Sequence, residues 1–280
     1  MSALTQLIAW LNSLANAVGG VIFAPIGTLS GWLSATLVAV VTGVVMLVAF
    51  KYTSNQAAIK RVRAGIKANT LALKLFKESA MVAIRAQQGM LSGAFWLMVY
   101  ASVPILVMTV PVLLILSQLA LWYQSRPLRP NEEAVVTVKL REASDSAMPE
   151  VRLEPNAGLE VKTGPVRIFS QKEVCWDIKA CKEGYHQVQF QVGDQVYSKL
   201  LAVGAGMMRV SVMRPGWNAK DVLLHPYESP FLADSPVQSI EIKYPSRDTW
   251  VDGTNTWVWF WLIVSMVSAF CLKGVFKVNI

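Results

Sequence analysis

The chain has 280 residues, of which 54% are hydrophobic and 16% are charged, whereas about 25% of residues are charged in a typical soluble protein. Its mean hydropathy is +0.41 and its pI is about 9.4, with a formal net charge of +8. This composition argues against a cytosolic enzyme. It indicates a membrane protein whose positive charge is unevenly distributed along the chain.

Three long runs contain no Asp, Glu, Lys or Arg: before Lys51, between Arg85 and Arg126, and between Asp252 and Lys273. A membrane-spanning helix needs about 20 apolar residues, so each run can hold one. We predict three transmembrane helices, at residues 32–50, 94–122 and 256–272. The second helix contains Pro104 and Pro111, which predict a kink, a tilt or a break.

The charges between these runs predict the orientation of the chain. Lys51–Arg85 has eight basic residues and one acid, the tail after the third helix has two basic residues, and Arg126–Asp252 has sixteen basic and seventeen acidic residues. Because basic loops stay in the cytoplasm, we expect the N-terminus outside and the C-terminus inside a bacterial inner (cytoplasmic) membrane. The remaining predicted segments are an interfacial N-terminal segment (1–31), a basic cytoplasmic helical segment (51–93), an extracytoplasmic domain (126–250) and a cytoplasmic tail (273–280).

The N-terminal segment allows two interpretations. Leu4, Leu7, Leu11 and Leu14 recur at helical spacing, which predicts a short amphipathic helix lying in the outer membrane interface. The alternative is a cleaved signal peptide ending near 15–17, a sequence Ala-Asn-Ala. A signal peptide usually begins with basic residues, which this segment lacks, so we favour the interfacial helix.

The first predicted span has a small residue at every fourth position, namely Gly31, Ala35, Ala39 and Gly43. Such a repeat is typical of a helix face that a second helix approaches closely, although Gly and Ala are also common in spans by chance. None of the predicted spans contains an ionisable acid or base. A proton relay, ion pathway or voltage sensor normally requires one, so a secondary transporter is not expected.

From Ser54 onward the pattern is helical, and Ser54 or Asn55 is positioned to cap the helix. An apolar stripe with a basic outer surface predicts a helix or helical hairpin, with Gly89 separating it from the second span. The candidate lipid or partner contacts are the basic residues Lys60, Arg61, Arg63, Lys67, Lys74 and Lys77. This surface suits anionic lipid or a negatively charged partner such as ribosomal RNA. Alternatively, the charges only set the topology.

The region between the second and third spans has the alternation of apolar and polar residues that is typical of strands. We predict strands at Val135–Arg141, Leu159–Phe169, Val174–Ala180, His186–Val192, Val196–Val203, Met208–Met213 and Ser239–Tyr244. This many short strands predicts an immunoglobulin-like β-sandwich. Cys175 and Cys181 are six positions apart in one extended stretch, so they could form a disulfide only if a bend intervenes.

The sequence offers little for catalysis. His186 and His225 are the only histidines, and each is expected to be a surface or packing residue. The sequence Gly-Ala-Gly at 204–206 is too short for a phosphate-binding loop. We therefore predict a non-enzymatic protein with no catalytic residue, cofactor or metal.

The overall fold class expected is an α-helical membrane protein with three transmembrane helices and an extracytoplasmic immunoglobulin-like β-sandwich. This layout, together with the sequence Phe-Lys-Tyr-Thr-Ser at 50–54 leading into Ile59–Phe76, resembles the YidC/Oxa insertase superfamily. The chain also resembles other bacterial membrane proteins with Arg-Pro-Leu at 126–128 and Tyr-Pro at 244–245, a likeness that implies no function.

The insertase resemblance implies a factor that assists membrane-protein insertion or assembly, with the lipid bilayer, other membrane proteins and the ribosome as partners. It also implies a groove for the polar segments of client proteins, with candidate lining residues Ser34, Thr36, Thr42 and Ser102. The alternative is a structural or accessory subunit of a larger membrane complex, which would dock through the outer β-sandwich.

Overall fold

A computed structural model describes residues 3–22, 29, 31–76, 78–141, 148–247, 256–276 and 278. Within these ranges the chain forms six helices and eight strands. They fall into two compact units, each built from two stretches of the chain. Unit 1 comprises Met1–Ser34 with Leu113–Trp259, and unit 2 comprises Ala35–Val112 with Phe260–Ile280.

The helices are α1 (Ala3–Ile22), α2 (Gly31–Thr53), α3 (Gln56–Leu75), α4 (Ala80–Tyr123), α5 (Ala219–Leu224) and α6 (Thr256–Leu272). Among the described residues, α2 and α4 are long and apolar enough to cross a membrane, judged by length and composition. Helix α6 is also apolar and has 17 residues, at the lower end of the range for a spanning helix, about 17–25. The predicted combination of apolar helices with a β domain is confirmed.

Helix α4 is continuous over 44 residues, with Pro104 and Pro111 inside it. The predicted alternative of a break at the prolines is wrong. Gly89 also lies within α4 instead of ending a helix, because one glycine costs a helix only about 1 kcal/mol. At 1.5 Å per residue α4 is about 66 Å long. It is therefore longer than the whole thickness of a bilayer, about 40–45 Å.

Helix α3 begins where the sequence predicts it. The side chain of Asn55 accepts a hydrogen bond from the backbone N–H of Ala58 at 3.0 Å, which satisfies one of the N–H groups that have no partner at a helix N-terminus. Ile59, the first residue of the predicted apolar stripe, is buried. Helix α3 and the first turns of α4 therefore occupy the predicted basic segment.

The strands are β1 (Glu133–Leu140), β2 (Val151–Leu153), β3 (Leu159–Ile168), β4 (Glu173–Ala180), β5 (Gly184–Val192), β6 (Gln195–Val203), β7 (Met213–Arg214) and β8 (Val237–Ile242). They form a five-stranded sheet in the order β3-β4-β1-β8-β7 and a three-stranded sheet in the order β2-β5-β6. All the pairings within these sheets are antiparallel. In β1 and β4, buried residues alternate with more exposed ones, so one face of the sheet covers the core.

The two sheets share one apolar core, and we call residues 126–141 and 148–247, which contain both sheets and α5, the β domain. Trp176 of β4 and Phe190 of β5 meet across it, with their ring centroids 5.6 Å apart. The edge strand β3 is exposed along most of its length, and its charged residues hinder edge-to-edge pairing with another chain. Cys175 in β4, Cys181 just after it, and Cys271 in α6 are free thiols.

The predicted strand at Met208–Met213 is wrong for most of its length, because β7 contains only Met213 and Arg214. The residues just before β7 form backbone hydrogen bonds with other parts of unit 1 instead of with a neighbouring strand. The backbone N–H of Val210 donates to the carbonyl oxygen of Leu121 at the end of α4, at 2.8 Å. The backbone N–H of Arg209 donates to the hydroxyl of Tyr185 at 3.1 Å. This segment therefore joins the β domain to α4.

Candidate functional site

Helix α3 and the first turns of α4 approach each other closely in unit 2. A methyl group added at Gly89 would lie 2.4 Å from the side-chain nitrogen of Asn69, and one added at Gly93 would lie 2.6 Å from Cγ1 of Ile66. Both glycines therefore allow a contact that a larger residue would obstruct. We call residues 56–75 and 80–93 the basic hairpin.

The predicted basic contacts lie on the surface of this hairpin. Lys60, Arg61, Arg63, Lys67 and Lys74 are all exposed on α3. Lys77 lies outside the described residues. None of the five exposed residues forms an ion pair within the part of the chain that the structure describes. Their charge is therefore available to lipid or to a partner.

The predicted packing face of α2 differs in burial along its length. Gly31 and Ala35 are half-buried, whereas Ala39 and Gly43 are buried. In unit 2, a methyl group added at Gly43 would lie 2.4 Å from the backbone oxygen of Ser265 in α6. The missing side chain at Gly43 thus lets α2 and α6 pack with their backbones close together.

The residues predicted to line a client groove have different surroundings. In unit 1, the Ser34 hydroxyl donates to the carbonyl oxygen of Gly31 and accepts from the Tyr123 hydroxyl at 3.0 Å. In unit 2, the hydroxyls of Thr42 and Ser102 donate to carbonyl oxygens four residues earlier in their own helices. Ser102 is exposed and Thr36 is half-buried. A groove shared by all four residues stays a prediction.

Helix α1 directs two of its polar side chains, Asn12 and Asn16, towards the rest of unit 1. In unit 1, Asn12 Nδ2 donates to the carbonyl oxygen of Val222 in α5 at 2.5 Å, and Asn16 Nδ2 donates to the carbonyl oxygen of Pro226 at 2.6 Å. Most of the exposed residues of α1 are instead apolar, and they include Leu4, Leu7, Trp10, Leu14, Val18 and Val21; the polar residues Gln6 and Ser13 are also exposed. A helix on the surface of a soluble protein has the opposite arrangement.

Arg209 connects three parts of unit 1. Its Nη2 donates to Oδ1 of Asn16 in α1 at 3.1 Å and to Oε1 of Gln118 in α4 at 3.0 Å. Gln118 Nε2 also donates to Asn16 Oδ1 at 2.9 Å, and the Arg209 guanidinium lies 4.5 Å from the centroid of the Tyr227 ring. We call Asn16, Gln118 and Arg209 the polar junction. It attaches both helices to the β domain.

A second buried polar group lies within the β domain. Lys199 of β6 has a side chain that is 0% exposed, and its Nζ donates to Glu228 Oε1 at 2.5 Å and to the Ser211 backbone oxygen at 2.6 Å. The Ser211 hydroxyl also donates to Glu228 Oε1. Burial lowers the pKa of Lys199, and the adjacent Glu228 carboxylate opposes that change. The arrangement fastens the loop carrying Glu228 to the sheet.

The two histidines lie apart and in different surroundings. His186 places Nε2 2.7 Å from the carbonyl oxygen of Lys182. Burial lowers the pKa of His225, which favours the neutral imidazole. Within the described ranges, no group of three or more His, Cys, Asp and Glu residues is arranged to hold a metal ion.

Sequence reasoning did not identify the polar junction or the buried Lys199. For the junction a sequence feature was present: Asn12, Asn16 and Gln118 are polar residues within largely apolar stretches of α1 and α4, and such residues tend to have specific partners when buried. Lys199 gave no comparable indication, because a single lysine in a strand is usually exposed and nothing in the sequence of β6 marks it as buried.

No protein-family model matches this chain, and no curated protein matches it. Two solved structures are weakly similar. The first is a crystal structure of domains 4 and 5 of the S-layer protein SbsC, with 14% identity and a TM-score of 0.23, covering 29% of this chain and 48% of that chain. The second is a crystal structure of rSbsC(31-844), with 14% identity and a TM-score of 0.24, covering 32% of this chain and 13% of that one. The similar part is thus less than half of either structure.

Proposed function

We propose that the protein is a non-enzymatic membrane factor that assists the insertion or assembly of other membrane proteins. In this proposal α2, α4 and α6 cross a bacterial inner membrane, with the N-terminus and the β domain outside and the C-terminus inside. The β domain is proposed to be an immunoglobulin-like sandwich. Its strand order differs from an immunoglobulin constant domain, in which strand A lies at a sheet edge, because β1 is central in its sheet.

The exposed apolar surface of α4 supports the membrane placement. Only 6% of the most apolar 18-residue stretch of α4 is buried by the rest of the protein. Leu106, for example, is 73% exposed. In water a surface of this kind would favour aggregation. Within a bilayer it would contact lipid chains or the helices of another membrane protein.

The basic hairpin is the observation that carries the proposed activity. It contains the N-terminal turns of a helix that is long enough to continue through a membrane, and it exposes five Lys and Arg side chains on α3. With this end in the cytoplasm, the basic hairpin would meet anionic lipid and incoming chains before they enter the membrane. The resemblance to the YidC/Oxa insertases agrees with this arrangement.

A reconstituted insertion assay tests the proposal. Proteoliposomes containing the full-length protein should insert a newly synthesised single-span membrane protein faster than empty liposomes, measured by protection from added protease. The triple variant K60Q/R61Q/R63Q removes exposed charge from the basic hairpin. We expect the insertion rate to fall by about fivefold or more, because each basic residue near an anionic surface contributes about 1 kcal/mol.

The matched control removes the same charge from exposed positions of the β domain, with the variant R167Q/K182Q/K220Q. This control should insert the client at the wild-type rate. Equal insertion by empty liposomes and by liposomes containing the protein would overturn the proposed activity. Equal rates for the two triple variants would show that the basic hairpin does not contribute to it.

A second candidate function is that of a structural or accessory subunit of a larger membrane complex. The outward apolar face of α1 favours it, because the polar junction holds that face in a defined orientation on the β domain. Native purification followed by mass spectrometry separates the two functions. A single stoichiometric partner would support the accessory role, whereas ribosomes or many nascent proteins would support insertion.

A further inference from the structure

Three arginine side chains line a small pocket of unit 1 close to the end of α4. Here the chain leaving α4 runs beside the segment that leads towards α6: the Arg126 backbone N–H donates to the Pro245 oxygen at 3.1 Å, and the Arg247 backbone N–H donates to the Gln124 oxygen at 3.2 Å. The pocket has a volume of about 190 Å³ and is lined by Arg126, Arg129, Arg247 and the Gly204–Gly206 turn. At about 30 Å³ per water molecule, it has room for a phosphate group.

Among the described residues, Arg247 has few hydrogen-bond acceptors. Its Nη1 donates to the Gly206 carbonyl oxygen at 3.1 Å and contacts the Met207 sulfur at 3.1 Å, whereas its buried Nε and Nη2 have no hydrogen-bond partner within the described ranges. Burial lowers the pKa of Arg247, but a guanidinium stays charged in proteins. Leaving charged donors unpaired costs more than leaving neutral ones unpaired. A bound anion would provide the missing acceptors after a small movement of the side chain.

Positive charge is in excess among the described residues that line the pocket. Arg126 forms a bidentate ion pair with Glu132, with both N–O distances at 2.7 Å. This contact lowers the pKa of Glu132 to about 2, so the carboxylate balances one guanidinium. Arg129 is exposed, and it adds a charge beside that of Arg247. Planar guanidinium groups are well suited to recognising phosphate oxygens.

The position of the pocket along the chain indicates where the anion would come from. Tyr123 is the last residue of α4, and its ring stacks on the Trp257 ring with the centroids 6.3 Å apart. Paired aromatic residues at helix ends lie at the level of lipid head groups. Arg126 follows Tyr123 by three residues, a reach of at most about 10 Å. The pocket would therefore lie within the head-group layer.

We propose that this pocket binds a phosphate monoester or diester, supplied by the head group of an anionic phospholipid. The inference rests on the membrane placement in the proposed function, but it does not depend on the insertion activity. Bound lipid would hold the β domain at a fixed height above the bilayer. It would also provide acceptors for Arg247, whose Nε and Nη2 have none in the part of the chain that the structure describes.

Native mass spectrometry tests the inference with the full-length protein released from nanodiscs of phosphatidylcholine, with or without phosphatidylglycerol. The wild-type protein should retain phosphatidylglycerol in preference to phosphatidylcholine. Arg129→Gln and Arg247→Gln should each weaken that retention by about fivefold. Arg129 is exposed, so its variant tests the pocket even if Arg247→Gln destabilises the protein. Arg167→Gln, on the exposed edge strand β3, is the matched control and should retain lipid like the wild type.

Calorimetry with inorganic phosphate, using the lipid-free protein in detergent, distinguishes the sources. Preferential retention of phosphatidylglycerol that is lost in both pocket variants supports the head group as the ligand, whether or not free phosphate also binds. Phosphate binding that is lost in the same variants, without any preferential retention of phosphatidylglycerol by the wild type, supports the pocket but overturns the lipid source. The proposed phosphate site is overturned if no phosphate binds and if lipid retention is the same in Arg129→Gln, in the control Arg167→Gln and in the wild type.

The failure of the proposed function would be recognised separately. Release of the protein from native membranes by alkaline carbonate would contradict the membrane placement itself. Loss of lipid retention in Arg129→Gln, with an unchanged insertion rate, would leave the pocket established and independent of insertion.

Discussion

The ammonium group of Lys199 and the carboxylate of Glu228 form an ion pair inside the β domain, with Nζ and Oε1 2.5 Å apart. The Lys199 side chain is 0% exposed and that of Glu228 is 14% exposed. Glu228 Oε2 also accepts from the backbone N–H of Leu200 at 3.0 Å. The carboxylate therefore neutralises a buried charge and holds its loop against β6.

The first prediction concerns this pair. Glu228→Gln should lower the free energy of unfolding by about 3–5 kcal/mol, because it leaves a buried ammonium without its counter-charge. Thermal unfolding of the full-length protein in detergent, followed by tryptophan fluorescence, measures the change. Glu183→Gln alters an exposed residue of the same domain and is the matched control. The double variant K199M/E228L should be less destabilised than Glu228→Gln, because it leaves no unpaired charge. If Glu228→Gln melted at the wild-type temperature, Glu228 would not be needed to neutralise Lys199.

The second prediction concerns the contact between α2 and α6. Gly43→Ala should lower the stability by about 1–3 kcal/mol, a typical cost of overpacking, because the new methyl group would meet the backbone of Ser265. Gly65→Ala is the control within a helix of the same unit, since no described residue outside the adjacent backbone of its own helix lies within 4 Å of a methyl group there. It should be neutral or stabilising by up to about 1 kcal/mol. Thermal unfolding of the two variants checks this, and equal melting temperatures would disprove the close contact.

The third prediction concerns the polar junction. Arg209→Gln should remove the hydrogen bonds to Asn16 and Gln118 and loosen α1. We expect the backbone amides of α1 to exchange with deuterium about tenfold faster, since hydrogen bonds to charged groups contribute about 1.5–3 kcal/mol. Hydrogen–deuterium exchange with mass spectrometry provides the measurement. Arg167→Gln should leave α1 unchanged, and unchanged exchange in Arg209→Gln would mean that apolar contacts alone hold α1.

The fourth prediction concerns pH. Burial lowers the pKa of His225 below its ordinary value of 6.5, so at acidic pH the unfolded chain takes up a proton before the folded protein does. The stability should therefore fall as the pH decreases from 6.5 towards the folded-state pKa. His225→Asn should remove this part of the pH dependence, measured as melting temperature between pH 7 and pH 5. His186→Asn retains His225 and should keep the pH dependence of the wild type. The same change of melting temperature with pH in both variants would contradict the attribution of this dependence to His225.

Most of the strands were predictable because alternation of apolar and polar residues is a local property. The ends of β1, β3, β4, β5, β6 and β8 lie within two residues of the predicted positions. The segment before Met213 has a similar pattern but forms no strand, because Val210 and Arg209 bind to α4 and to Tyr185. A contact with a distant part of the chain thus replaced a sheet partner that the local pattern had favoured.

The sequence by itself determined the approximate positions of the apolar helices, most of the alternating strands and the concentration of basic charge after α2. These features follow from the order of residue types along the chain. Only the tertiary structure decided which face of α1 meets the protein, which glycine of α2 contacts α6, and which charged groups become buried. Asn16, Gln118 and Arg209 are far apart in sequence, and their hydrogen bonds exist only because packing of the helices and the β domain brings the three side chains together.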